Sequence, residues 1–194
     1  MVRDKDRAAC GSKVTLEMTS RTGLNKPEIA VLLAVYNGMQ WLPEQLESIR
    51  NQQGVRVSIF ASVDVSTDGT EAWLANYAET YPDLKLLPPG VFGGAAKNFF
   101  RLLRDVDLAP FDYVAFADQD DVWHLDKLYA GHSIISRGTA QAYSANVSAF
   151  WPDGRSCLIN KAFPQRRYDY LFEAAGPGCT VSVRPAPTAD RSFE

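Results

Sequence analysis

The sequence predicts an α/β fold, a mostly parallel sheet with flanking helices, and three observations carry that prediction. An almost unbroken run of apolar, largely branched residues from Glu28 to Tyr36 (EIAVLLAVY) reads as a strand buried on both faces. Strand-like runs then alternate with segments of helical periodicity, the pattern that gives parallel strands joined by crossover helices. A polar cluster comes directly after several of the strands, and ligands in such sheets bind beyond the strands' carboxyl ends.

Asn37-Gly38 breaks the first run. MQWLPEQLESIRNQ comes next, with Leu42, Leu46 and Ile49 on one helical face and Pro43 tolerable only in the first turn. Gly54 stops this helix, and Val55 to Val63 reads as the second strand. After DVSTDGT a helix is expected over EAWLANYAETY, with Ala72, Trp73, Leu74 and Ala78 on its buried side. LKLL is a short third strand, and the turn-rich PPGVFGG leads into a helix over Ala95 to Arg104 that carries Phe99, Leu102 and Leu103. DYVAFAD is a fourth strand ending in acids. Beyond Trp123, LDKLYAGHSIIS reads as a helix, AQAYSANVSAFW as one strand, and DGR as a hairpin turn into SCLINKAF. RYDYLFEAA reads as a short helix, and GPGCTVSV as a tight turn running into a last strand. The expected organisation is a mobile extension over residues 1–26, one domain over 27–183 and an irregular tail over 184–194.

A chain of 194 residues with 46% hydrophobic and 22% charged content has the composition of one soluble domain able to bury a sizeable core. Its net charge of -3 leaves no basic excess to meet a phosphate backbone, so nucleic acid is not an expected partner. The three cysteines, Cys10, Cys157 and Cys179, form no CxxC pair, which points away from a disulfide framework or zinc site and towards a reducing compartment. The longest apolar stretch, Ile29 to Tyr36, falls far short of the roughly 20 residues a bilayer requires. The N-terminal segment builds no apolar core of a secretory signal.

Chemistry concentrates in three places. Asp118-Gln119-Asp120-Asp121-Val122-Trp123 gathers acids at a strand end, where mutual repulsion is relieved by a cation; carboxylate oxygens suit Mg²⁺ or Mn²⁺, which would bridge a diphosphate. The same acids also read as a loop capping the next helix. In Asp64-Val65-Ser66-Thr67-Asp68-Gly69-Thr70, capping by Asp68 accounts for Ser66 to Thr70, whereas Asp64, at the strand tip, is placed to meet a base or ribose. Gly93-Gly94-Ala95-Ala96-Lys97-Asn98 opens a helix whose first N–H groups can approach an anion, yet it is neither a P-loop nor a GxGxxG fingerprint. His124 and His132 are too far apart for a zinc pair on one helix turn, and Cys179 has no recognisable histidine partner. Of the tryptophans, Trp123, beside the acids, is best placed to shape a pocket.

Taken in order, Val35-Tyr36-Asn37-Gly38, Ser62 to Thr70, Gly93 to Asn98, Asp118 to Trp123 and Gly178-Cys179-Thr180 resemble family 2 glycosyltransferases, and within them bacterial rhamnosyltransferase-type members. The resemblance covers roughly residues 28 to 183. It implies a GT-A fold, a nucleotide-diphospho-sugar donor such as dTDP-rhamnose, Mn²⁺ or Mg²⁺ at a DxD-type motif, and inverting transfer to a saccharide or lipid-linked acceptor in surface polysaccharide biosynthesis. Carried over by residue, Tyr36, Asn37, Asp64, Asn98 and Asp118 bind the donor, and Asp118, Asp120 and Asp121 hold the metal. Trp123, Gly178, Cys179 and Thr180 face the acceptor. The resemblance further implies a cytoplasmic protein in peripheral association with the inner face of the plasma membrane.

Two departures stand out. Val63-Asp64-Val65 lacks the second acid that many members carry, so base recognition rests on Asp64 alone. Members also place a general base in a segment after the Gly-Cys-Thr turn, and here Asp190 and Glu194 are the sole acids beyond Thr180. The expectation is a domain incomplete at its C-terminus, without an identifiable base, that binds donor better than it turns it over. Two further readings stay open: an impaired fragment that only binds nucleotide or a partner, and a nucleotidyltransferase, although Asn37-Gly38-Met39-Gln40 lacks the basic residue usual after the first strand of that class.

Overall fold

The computed structural model describes residues 26–138, 140–160 and 182–183. Its elements run β1 (Glu28–Val35), α1 (Leu42–Arg50), β2 (Arg56–Val63), α2 (Thr70–Thr80), β3 (Leu84–Leu86), α3 (Ala95–Asp105), β4 (Tyr113–Asp118), α4 (Lys127–Ile135), β5 (Ala142–Tyr143), β6 (Val147–Phe150), β7 (Ser156–Ile159) and β8 (Ser182–Val183).

Alternate residues of β1 face opposite sides of the sheet, and both sides are covered. Ile29, Val31, Leu33 and Val35 pack with Leu42, Leu46 and Ile49 of α1, Leu74 of α2, and Leu128 and Ile135 of α4. Ala30, Leu32 and Ala34 pack on the other side with Leu102 of α3 and with Val106 and Leu108 just beyond it. This makes three layers, and each fully buried aliphatic side chain contributes about 1.5–3 kcal/mol.

The main sheet is six-stranded, in the order β3-β2-β1-β4-β8-β5. β1, β2, β3 and β4 run parallel, whereas β8 is antiparallel to both β4 and β5. The chain leaves β1 for β2 on one side and later returns to β4 on the other. That reversal opens a crevice between the ends of β1 and β4. Register makes the strand tips level, since Ala34 pairs with both Ser62 and Asp118 and Val35 pairs with Val63.

Several expectations need adjustment. The second strand begins at Arg56. In α2, Thr70 and Leu74 are buried, and Ala72 is exposed. Leu103 of α3 likewise faces outward, because the amphipathic turn points Asn98 and Leu102 at the sheet. The single strand expected over 140–151 is two: β5 joins the main sheet, and after a break at Ser144 to Asn146 β6 forms a separate hairpin with β7. Of the proposed extension only Lys26 is among the described residues; the helix expected at RYDYLFEAA, the Gly178-Cys179-Thr180 turn and the tail lie outside them. Among the described residues no helix is long and apolar enough to cross a membrane.

Candidate functional site

A cavity of about 990 Å³ opens at the crevice, walled by residues from four separate parts of the sequence: Val35 and Tyr36, Asp64 and Val65, Val91 with Gly93 to Ala95 and Asn98, and Asp118 to Asp120. Level register is the reason, since it delivers the ends of β1, β2 and β4 to one rim.

Asp64 sits just past β2 and is buried. Its Oδ1 accepts the N–H groups of Phe92 (3.0 Å) and Val65 (3.1 Å), and its Oδ2 accepts that of Gly93 (2.8 Å). The Phe92 N–H first, joined by those of Gly93 and Val65, outweighs burial and holds the Asp64 carboxyl below the usual carboxylate range. Asp64 thus meets the cavity with a carboxylate that already anchors the loop ahead of α3. The same loop is tied by a bridge between Asp64 and Gly90. Gly93 (φ 69°) and Gly94 (φ 151°) adopt backbone that L side chains rarely reach, which explains the paired glycines there.

Asn98 of α3 lines the same cavity and is buried; its Nδ2 donates to the Ser62 carbonyl at 2.9 Å, and its Oδ1 has no hydrogen-bond partner among the described residues. Arg101, one turn on, donates to Ser62 Oγ (2.7 Å) and to the Pro88 carbonyl (2.8 Å), with its guanidinium 5.2 Å from the Phe92 ring centroid. It pins the far side of the loop.

Tyr36 stands on the cavity wall with its side chain largely exposed. Asn37 braces the loops beside this wall. Its φ of 47° turns the chain, its N–H donates to Ser66 Oγ (3.0 Å), and its Oδ1 accepts the Thr67 N–H (2.8 Å), so the side chain ties two loops together away from the lining. Asp68 joins this brace, accepting from Met39 N–H at 3.0 Å and from Thr70 Oγ at 2.6 Å. Burial alone would raise the Asp68 carboxyl, but these bonds bring it below its ordinary value.

At the acidic loop, Asp118 and Asp120 line the cavity, and Gln119 between them binds the Tyr36 backbone twice. α1 and Gln52 just beyond it fix the chain between this loop and α4: Ser48 Oγ accepts the Trp123 N–H (3.0 Å), while the Gln52 amide donates to the His124 carbonyl (2.7 Å) and accepts the Leu128 N–H (3.0 Å). The Trp123 ring is buried in the core with Lys127 Nζ 3.6 Å from its centroid, and its edge reaches a second cavity of about 250 Å³ shared with Asp120, Asp121 and Phe150. His124 is an exposed residue ahead of α4, and His132 packs edge-on against Tyr113.

The three acids are spread over two cavities that share Asp120. Asp121 faces the second cavity and its Oδ2 is buried, and among the described residues no group of three or more His, Cys, Asp or Glu side chains is arranged to hold a metal. Asp118 and Asp120 on one wall still fit a divalent cation, because Mg²⁺ is held by one or two carboxylates with its remaining positions on substrate phosphates and water.

Arg101, Ser48 and Gln52 are positions the motifs do not mark, and Gln119 lies inside the acidic motif without a role read for it. Each acts through side-chain-to-backbone bonds to residues remote in sequence, which leave no local pattern.

The family model described as glycosyl transferase family 2 matches residues 30–175. The chain belongs to that family. Among relatives, this family 2 chain is 47% identical over 154 residues to the dTDP-rhamnosyl transferase RfbG of Shigella flexneri, covering 78% of this chain and 53% of that protein. It is 31% identical over 112 residues to the amylovoran biosynthesis glycosyltransferase AmsB of Erwinia amylovora, covering 56% and 36%. It thus spans about half or less of the length of these relatives. Among solved structures, the mannosyltransferase PcManGT from Pyrobaculum calidifontis in complex with GDP-Man and Mn²⁺ superposes with a TM-score of 0.60 at 21% identity, over 82% of this chain and 45% of that one. S. aureus TarS 1-349 in complex with UDP-GlcNAc gives 0.59 at 19% identity, over 81% and 45%. These likenesses establish the GT-A fold.

Proposed function

We infer that the cavity is the donor half of an inverting glycosyltransferase site, which takes a nucleotide-diphospho-sugar and passes its sugar to a hydroxyl of a saccharide or lipid-linked acceptor in surface polysaccharide biosynthesis. The observation that carries this reading is the convergence of Tyr36, Asp64, Asn98, Asp118 and Asp120 on one cavity, whose volume is that of a small-molecule site. The similarity to a dTDP-rhamnosyl transferase favours dTDP-rhamnose as donor. Family membership decides against a nucleotidyltransferase.

In this reading Tyr36 walls the nucleoside, and the Asp64-anchored loop with Asn98 closes the opposite side. Asp118 and Asp120 would hold Mg²⁺ or Mn²⁺; the cation's chemistry is to neutralise charge on the departing diphosphate. Asp121 follows them on the wall of the second cavity. The second cavity, contiguous through Asp120 and edged by Trp123, is the acceptor approach. Gly178, Cys179 and Thr180 remain proposed acceptor-side residues by resemblance, and the reaction is placed at the inner face of the plasma membrane, where a lipid-linked acceptor would be presented.

Thermal melts with UDP, dTDP and GDP, each with and without Mn²⁺, test the reading. We expect dTDP with Mn²⁺ to stabilise most, by about 2.7 kcal/mol at a hundredfold excess over Kd, and Asp120→Ala to abolish the Mn²⁺-dependent part. Indifference to every nucleotide would refute the assignment.

A further inference from the structure

The parallel ladder between β1 and β4 ends at Ala34 and Asp118. One residue on, a side chain continues it: Gln119 Oε1 accepts the Tyr36 N–H at 2.7 Å, and Gln119 Nε2 donates to the Tyr36 carbonyl at 2.8 Å. A primary amide offers a donor and an acceptor side by side, whereas a carboxylate only accepts and a thioether does neither usefully. The residue type is therefore specified by the peptide it grips.

On one side the amide is closely approached by Gly38. A Cβ at Gly38 would lie 2.9 Å from Gln119 Oε1 and 3.1 Å from Leu42 Cδ1 and Cγ, and the Gly38 N–H is itself held by Thr70 Oγ at 2.9 Å. Gly38 does not have a positive φ, so space and not backbone conformation requires glycine here. On the other side of Tyr36, the Val35 carbonyl accepts the Asp64 N–H at 2.8 Å. Tyr36 thus hangs between two fixed strand ends. Its side chain lines the cavity, as do Asp118 and Asp120 on either side of Gln119.

We propose that Gln119 is a positioning residue that locks the Tyr36 wall to the Asp118 and Asp120 carboxylates, so that both ends of a nucleoside diphosphate are met at one fixed spacing. This rests on the donor-site reading above and adds a residue to it. Loosening the lock leaves either end able to bind and removes the gain from binding both together.

The test is calorimetric titration of the whole chain with thymidine and with dTDP, the latter with and without Mn²⁺, in wild type, Gln119→Met, Gly38→Ala and Asp120→Ala, each with a thermal melt to register folding. Mn²⁺ should tighten dTDP binding in wild type, and Gln119→Met should lose about tenfold of that gain, within the range of measured couplings between sites. Thymidine binding should change by less than about twofold, because the lock concerns the link between ends. Gly38→Ala, which displaces the amide while leaving Gln119 in place, should lose the gain in the same direction and stands in if Gln119→Met does not fold. An amide that is only structural would lower the melting temperature and leave the Mn²⁺-dependent gain of both variants at the wild-type level, which would overturn the proposal. Loss of the gain in Asp120→Ala with retention in both other variants removes the positioning role and spares the donor site. Failure of wild type to bind dTDP removes both.

Discussion

Asp64 directs its charge inward, onto the backbone of the loop that walls the cavity. Because hydrogen bonds depress its carboxyl, the stability it contributes is present above the unfolded value of about 3.9 and fades as pH falls through the lower folded value. Asp64→Asn should therefore cost about 1.5–3 kcal/mol at neutral pH, the worth of hydrogen bonds to a charged group, and the gap between the two proteins should narrow in melts taken below about pH 4. A gap independent of pH would show that the carboxylate's charge is immaterial. The sequence marks Asp64 by its place at a strand tip, and that much was legible. Its partners were not, since Phe92 and Gly93 lie 28 and 29 residues away. Asn37 was legible in the same way, by its motif after a strand, while its bonds to Ser66 and Thr67, 29 and 30 residues away, were not.

Elements were legible where periodicity is strong. β1, α1, β2 and β4 are evident from apolar runs and one-sided helices, and their order fixed where Asp64 and Asp118 would emerge. The 140–151 segment was misread because its alternation continues across Ser144 to Asn146, and only partner strands decide that β5 and β6 belong to different sheets. The clamps between elements were the least visible. Arg101 bridges α3 to both Ser62 and Pro88, a reach that depends on the planar fork of a guanidinium. Arg101→Lys should thus behave much like Arg101→Ala, lowering both the melting temperature and the affinity for nucleoside diphosphate; full rescue by lysine would mean that charge alone suffices. Ser48→Ala, which strands the buried Trp123 N–H, should cost about 1–3 kcal/mol in denaturant unfolding. It should also weaken Mn²⁺-dependent binding if α1 indeed steadies the acidic loop.

At the scale of the molecule, stability and site are separable because the core lies beneath the rim. Leu33→Ala, at a fully buried position in mid-strand, should destabilise by about 2–5 kcal/mol. In the fraction that stays folded it should leave nucleotide affinity intact, as titration below the melting temperature would show. The site owes its existence to the sheet order, with β1 between β2 and β4. The far side of that sheet carries a different consequence. β8 lies between β4 and β5, and among the described residues it is the one strand that pairs with residues 142–143, which therefore gain that partner once residues 182–183 have left the ribosome. The four parallel strands can assemble during synthesis in the order they are made, whereas among the described strands the outer pair closes last, so the β4 edge gains its antiparallel partner late, in the interval in which a nascent chain is most exposed to wrong neighbours.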